Sequence, residues 1–264
     1  DWLTLKRRDP GHPFCRALHL RSKSDSVRVW RIRTGEMDLR NPKVMAIWNV
    51  TPDSFSSSCE HGKAATTEHA RRLCDAGADV LDIGAESTRP GSAAVTPEEE
   101  MARLRRPLEW ARDNVNLPIS LDSRHPETIE WALDAGLADI VNDVAMCEDA
   151  GERDLRIDAA AVRADAGMVL MAWNPHDASP LGFEDCLHAI VRQIERRMAI
   201  VWESGLDMRH ILVDPGIGFG KGLDNDLRLV TVAPRMLECL GRPVLVAHSR
   251  KRCLAKFTGL PVEE

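Results

Sequence analysis

From residue 44 onward the chain alternates short apolar runs with longer amphipathic stretches, and this alternation limits its fold more than any other feature. The runs are residues 44–48 (VMAIW), 80–83 (VLDI), 119–121 (ISL), 140–141 (IV), 168–171 (MVLM), 211–213 (ILV) and 244–246 (VLV). Each is too short for a helix and too uniformly apolar for a sheet with one wet face, which predicts parallel strands buried on both faces. Helix signals fill the intervals. Thr96-Pro97-Glu98-Glu99 sets a cap, a first-turn proline and a capping-box glutamate in order. Pro126 predicts a helix start and Gly136 its end. Ile190, Ile194, Met198 and Trp202 recur at helical spacing within residues 181–205. Seven strand–helix repeats, the seventh helix only begun, mean an α/β fold, either a TIM (β/α)8 barrel or a doubly wound sheet.

The polar residues favour the barrel. Asn49, Glu86, Asp122, Asn142-Asp143, Asp214 and Ser249-Arg250-Lys251 each follow one of these runs. In a barrel such strand ends converge on one mouth, whereas in an open sheet they would be strung along an edge. Residues 26–38 predict a hairpin ahead of the first strand, with Thr34-Gly35 near the turn. Residues 1–25 read as a basic N-terminal extension or linker ahead of a barrel over 26–264. Residues 1–43 carry a net charge of +6 and the remainder −12. The basic residues form no compact run, so no nucleic-acid partner is inferred. No apolar run approaches the roughly 18–20 residues of a membrane helix. The seven cysteines are scattered, without a CxxC pair or a zinc spacing, and read as reduced thiols of a cytoplasmic protein.

The strand-end residues suggest a chemistry. Asp122, Asn142 and Asp214 offer carboxylates and an amide suited to a heterocycle edge bearing an N–H/NH2 pair, since a carboxylate accepts two parallel hydrogen bonds. Singly, each is equally at home as a cap or ion-pair partner. Arg89, in Ser87-Thr88-Arg89-Pro90-Gly91, offers a planar fork for phosphate, and Asn49 a hard oxygen for phosphate or Mg²⁺. The glycine-rich segment Asp214 to Lys221 has no Ser or Thr after its lysine, so it is not a Walker loop. Its glycines admit close backbone approach, and Phe219 offers a stacking face.

Six segments together carry a resemblance. MAIWNVTPDSFS (45–56), DIGAESTRPG (82–91), SLDS (120–123), VNDV (141–144), DPGIGFGK (214–221) and HSRK (248–251) resemble, in order and spacing, the motifs of the dihydropteroate synthases. The resemblance spans about residues 28–260. It implies a TIM barrel, a homodimer, and a transferase of folate biosynthesis that joins 7,8-dihydropterin-6-ylmethyl diphosphate to p-aminobenzoate with Mg²⁺. By motif, Asp122, Asn142, Met171, Asp214 and Lys251 would bind the pterin, and Asn49 and Arg89 the diphosphate, with Asn49 on the metal. Phe55, Thr88, Pro90, Phe219 and Arg252 would frame the p-aminobenzoate pocket, the target of sulfonamides. Asp53, Asp122 and Lys251 would take part in catalysis. The motifs give His125 and His248 no role as bases.

Several positions depart from the family pattern. Ala46 and Trp48 stand for the usual Gly and Leu, Ala85 for Gly, Ala172 for a frequent His, and Arg252 for the Ser that lies near the acceptor. The family's last strand, with its Arg-x-His, would follow Glu264. The chain as written is therefore expected to stop before the eighth βα unit and to be weak or inactive. The alternatives are a non-catalytic pterin-binding homologue and a methyltetrahydrofolate–corrinoid methyltransferase, which needs neither the STRPG nor the SRK segment.

Overall fold

Six of the seven apolar runs form strands. A computed structural model describes residues 28–50, 60–86, 95–143, 155–173 and 182–260. A hairpin of β1 (Val29–Ile32) and β2 (Gly35–Asp38) precedes the repeats. Parallel strands then alternate with helices: β3 (Met45–Asn49), α1 (Glu60–Asp75), β4 (Val80–Gly84), α2 (Pro97–Asn114), β5 (Ile119–Ser123), α3 (Pro126–Asp134), β6 (Ile140–Asp143), α4 (Arg156–Ala164), β7 (Gly167–Met171), α5 (Phe183–Glu203) and β8 (Ile211–Asp214). Three short helices follow, α6 (Leu223–Leu229), α7 (Ala233–Leu240) and α8 (Arg252–Thr258). From β3 to β8, strand order is chain order. No helix of the described residues is long and apolar enough to cross a membrane.

The chain divides into two compact units, one formed by Ile32–Ala145 and Asp154–Met168, the other by Asp1–Arg31, Met146–Arg153 and Val169–Glu264. In the first unit β3, β4, β5 and β6 pair in parallel register. Leu81, Ile83, Ile119, Leu121, Ile140 and Val141 are inaccessible to solvent, as two-sided burial requires. Strand β3 differs from that expectation, for Ile47 is half exposed. Its one partner strand among the described residues is β4. Trp48, in place of the family's leucine, is buried edge-to-face against Trp110 of α2, with ring centroids 5.6 Å apart. Its indole N–H has no hydrogen-bond partner among the described residues.

The helix signals are realised. The Thr96 hydroxyl accepts the Glu99 N–H at 3.3 Å and Pro97 opens α2. At the end of α3, Gly136 takes a φ of 70°, which lets Leu137 N–H reach back to Ala132 O. Beneath the strands Asp139, fully buried, accepts from Ile119 N–H at 2.9 Å, from both terminal nitrogens of Arg112 at 3.1 Å and from Arg33 at 3.4 Å. One carboxylate thus ties the hairpin turn, α2 and β5 together.

In the second unit α5 turns Ile190, Ile194 and Met198 inward and leaves Trp202 half-buried. Trp30 of β1 is buried there and donates its indole N–H to His210 O at 2.7 Å. The run at 244–246 does not extend into a strand. It meets β8 through one bridge, Val213 to Val244, held by Val213 N–H to Pro243 O and Leu245 N–H to Val213 O. Pro243 brings no N–H of its own to extend the ladder, and residues 243–247 remain half-buried.

Removing the charge at Asp139 leaves two guanidinium groups and a buried N–H poorly matched. Asp139→Asn is predicted to lower unfolding free energy by about 1–3 kcal/mol in urea titration, while Asp134→Asn, on an exposed ion pair, changes it by less than about 0.5 kcal/mol.

Candidate active site

The register of the parallel strands sets four strand-end residues in one row. Asn49 of β3 pairs with Gly84 of β4, Gly84 with Asp122 of β5, and Asp122 with Asn142 of β6. Side chains two residues apart on a strand share a face, so the row repeats the orientation of the row two residues before it. Gly84 leaves room within it: a Cβ there would lie 3.2 Å from both Asp122 Cβ and Oδ2. Asn49 is exposed, Asp122 half-buried and Asn142 buried. The row therefore grades from a wet amide to a dry one, with a carboxylate between.

Two residues before Gly84 stands Asp82, 5% exposed in a strand that is otherwise apolar. Its carboxylate accepts Asn142 Nδ2 at 3.2 Å by Oδ2 and at 3.5 Å by Oδ1. Burial pushes its pKa up to about 6, against the opposing pull of the Ser120 hydroxyl and the Asn142 amide.

A second polar group closes the end of β5. Glu100 of α2, fully buried, accepts Ser123 Oγ at 2.8 Å and faces His125 Nδ1 at 3.0 Å through the same oxygen, Oε2. Ser123 Oγ accepts the His125 N–H at 3.1 Å. Glu86 is held by Arg124 at 2.7 and 3.0 Å. Glu86, Glu100 and His125 bring one ligand atom each within 4.8 Å of one another. Arg124 holds Glu86, and Ser123 and His125 share Glu100 Oε2, while Glu100 Oε1 is buried without a hydrogen-bond partner among the described residues.

The second unit has its own strand-end cluster. Ala172 N–H after β7 donates to Asp214 O at the end of β8, joining the two strands at 2.9 Å. Asp214 is buried, and its Oδ1 accepts the Gly216 N–H at 2.7 Å. Burial raises its pKa, opposed first by that N–H and then by the charges of Lys251 and Lys221. Gly216 needs to be glycine twice over, for its φ is 68° and a Cβ would lie 1.8 Å from Ala172 O. Lys221, 5% exposed, donates to Ala172 O and Gly216 O at 2.8 Å and to Phe219 O at 3.2 Å. It stitches the glycine-rich turn to the end of β7. Lys251 lies over the Phe219 ring, 4.7 Å from its centroid, and the bare Gly218 gives its stem room, with Lys251 Cδ 3.0 Å from where a Cβ would stand. Met171 is buried at the end of β7, and Arg252 is exposed as the first residue of α8.

The chain is similar to proteins of known family and structure. The pterin binding enzyme family matches residues 45–264. A dihydropteroate synthase of Neisseria meningitidis serogroup C is 37% identical over 242 residues, covering 88% of this chain and 82% of the relative. The solved structure of Xanthomonas albilineans dihydropteroate synthase with 4-aminobenzoic acid is 38% identical, with a TM-score of 0.75 over 86% of this chain and 81% of that one. The same enzyme in complex with 7,8-dihydropteroate gives 36% identity and a TM-score of 0.73, over 86% of this chain and 80% of that one. The chain belongs to the dihydropteroate synthase family. Its fold class is the TIM barrel of that family, with the antiparallel hairpin at the start.

Within this dihydropteroate synthase chain, the structure brings Asn49, Asp122 and Asn142 into one register row of the first unit. It groups Asp214, Phe219 and Lys251 in the second. Asp53, Phe55, Thr88, Arg89 and Pro90 lie outside the described residues. Sequence reasoning passed over Asp82 and Lys221. The signal for Asp82 was present: a lone carboxylate inside an apolar run must find a donor or stay protonated. Lys221 carried no such mark, because its partners are backbone carbonyls.

The raised pKa of Asp82 has a stability consequence. Between the unfolded value and about 6, the folded state holds a proton that the unfolded state has lost, so this group's contribution falls as pH rises through that window. Asp82→Asn removes the titration. In urea titrations at pH 4.5 and 7.5, the stability of the variant relative to the parent is predicted to improve by about 2 kcal/mol at the higher pH.

Proposed function

We propose that this chain condenses 7,8-dihydropterin-6-ylmethyl diphosphate with p-aminobenzoate, giving dihydropteroate and diphosphate. The observation that carries the proposal is the register row of Asn49, Gly84, Asp122 and Asn142. It lines up an acceptor-rich edge at the strand ends of a family whose solved members are described with 4-aminobenzoic acid and 7,8-dihydropteroate.

In this reading Asp122, Asn142, Asp214, Met171 and Lys251 hold the pterin. The carboxylates accept from its N–H groups, and buried Met171 supplies apolar surface. Arg89 and Asn49 hold the diphosphate. Asn49 is a hard oxygen donor, exposed at its strand end, which fits a Mg²⁺ that keeps most of its water and arrives with the phosphates. Bound there, Mg²⁺ would supply charge neutralisation to the leaving group. The bond from the pterin methylene carbon to the diphosphate oxygen breaks, and its electron pair leaves with the diphosphate. The positive charge that develops on the pterin-methyl group is stabilised by ionised Asp122. The amine nitrogen of p-aminobenzoate then bonds to that carbon and gives up a proton. Phe55, Thr88, Pro90, Phe219 and Arg252 frame the acceptor, and Asp53 and Lys251 assist in catalysis. The resemblance also supports a cytoplasmic homodimer that sulfonamides inhibit as mimics of the acceptor.

Two substitutions separate the pterin and anion roles. Asp214→Asn turns an amide NH2 toward ring donors, and is predicted to cost about 1–3 kcal/mol of binding to 6-hydroxymethylpterin by calorimetry. Unchanged affinity would remove Asp214 from the site. Arg89→Ala is predicted to lose affinity for the diphosphate-bearing substrate while binding 6-hydroxymethylpterin as the parent does. Equal losses for both ligands would assign Arg89 a structural part.

A further inference from the structure

Asp82 is conspicuous because it is buried, lies two residues before the strand-end row and bonds one of the row's residues. It donates nothing when ionised, and the group it accepts from, Asn142 Nδ2, belongs to a side chain with two chemically opposite ends. We propose that Asp82 is a positioning residue for pterin recognition: its carboxylate captures the Asn142 NH2 and thereby fixes Oδ1 as the end that Asn142 presents to the ligand. The proposal rests on the pterin reading of the strand-end row and gives that row its polarity.

The argument is one of satisfiability. An ionised carboxylate is acceptor-only, so the amide can face it with nitrogen and not with oxygen. Turning the amide over would set oxygen against oxygen in a site where Asp82 is 5% and Asn142 9% exposed, with little water to relieve the repulsion. The ladder keeps the two within reach. Asp122 and Asn142 are register partners, Gly84 and Asp122 likewise, and Asp82 is two residues before Gly84 on the same face. Asn142 thus spans from its own row to the one below. Gly84, lacking a side chain, leaves the row's β4 position open. Asp82 touches no ligand in this account and acts through Asn142. A pterin edge that offers N–H groups to the row would meet an oxygen from Asn142 as well as from Asp122. With the amide free to turn, half of the orientations would set a donor against a donor.

The test is a swap. Asp82→Asn places an amide against an amide, either end of which satisfies the other, so the orientation of Asn142 is no longer fixed. Its affinity for 6-hydroxymethylpterin by calorimetry is predicted to fall about twofold, the share of amide orientations that no longer suits the ligand. The KM for p-aminobenzoate should stay at the parent's value, since the acceptor is held elsewhere. Asp82→Asn combined with Asn142→Asp exchanges the two groups. The amide at 82 then donates to the carboxylate at 142, whose second oxygen is again an acceptor at the row. The double variant is predicted to recover the parent's pterin affinity. A merely structural Asp82 would move the melting temperature without this loss and recovery. The proposal is overturned if folded Asp82→Asn binds the pterin as the parent does. It is also overturned if the swapped chain folds and binds no better than Asp82→Asn. If Asp82→Asn fails to fold, recovery of pterin binding by the swap supports the proposal and its failure overturns it. A parent chain that binds no pterin would instead overturn the reading of the row itself.

Discussion

The register of the parallel ladder is the constraint on which the candidate site depends. A shift of one residue at any of β3 to β6 would turn its strand-end side chain to the opposite face. With the observed register, Asn49, Gly84, Asp122 and Asn142 share a row. Burial protects that register, for Leu81, Ile83, Ile119, Leu121 and Ile140 would all have to exchange faces in a slip. Asp139 reinforces it from the opposite ends of the strands. Its carboxylate accepts from the first residue of β5 and from arginines of α2 and the hairpin turn.

Two buried carboxylates at the strand ends solve the same electrostatic problem differently. Asp214 is raised by burial, but a backbone N–H and two lysines pull it back. Those partners favour its ionised form, which accepts hydrogen bonds. Asp82 has only neutral donors against it, and its pKa stands at about 6. Its donors are the Ser120 hydroxyl and the Asn142 amide, and it holds that amide in place. Lys221 contributes a cation without reaching for a ligand, because Ala172 O, Gly216 O and Phe219 O occupy its ammonium. The glycine-rich turn owes its form to that stitch and to the close approach at Gly216.

Much of this was legible in the sequence. The β-branched runs located the strands because two-sided burial leaves no polar alternation to confuse the period. Thr96-Pro97 and Gly136 marked helix ends by mechanisms that act within one turn, and the helices obey them. The terminal run at 244–246 reads like the others yet pairs through one bridge, since strand formation depends on a partner that local sequence does not specify. The candidate site divided in the same way. Asp122, Asn142 and Asp214 announced themselves as polar residues at strand ends. The Asp82–Asn142 bond did not, because it joins residues 60 positions apart. The substitution of tryptophan at position 48 looked like a departure of unknown effect, and its consequence, an edge-to-face contact with Trp110, depends on a helix 62 positions away.

The proposed function requires the chain to turn over its substrate and not merely to bind pterin. Diphosphate release from 7,8-dihydropterin-6-ylmethyl diphosphate, followed together with dihydropteroate formation with and without p-aminobenzoate, tests it most directly. Release that depends on p-aminobenzoate and yields one dihydropteroate for each diphosphate is expected. Pterin binding without release, with or without p-aminobenzoate, would contradict it.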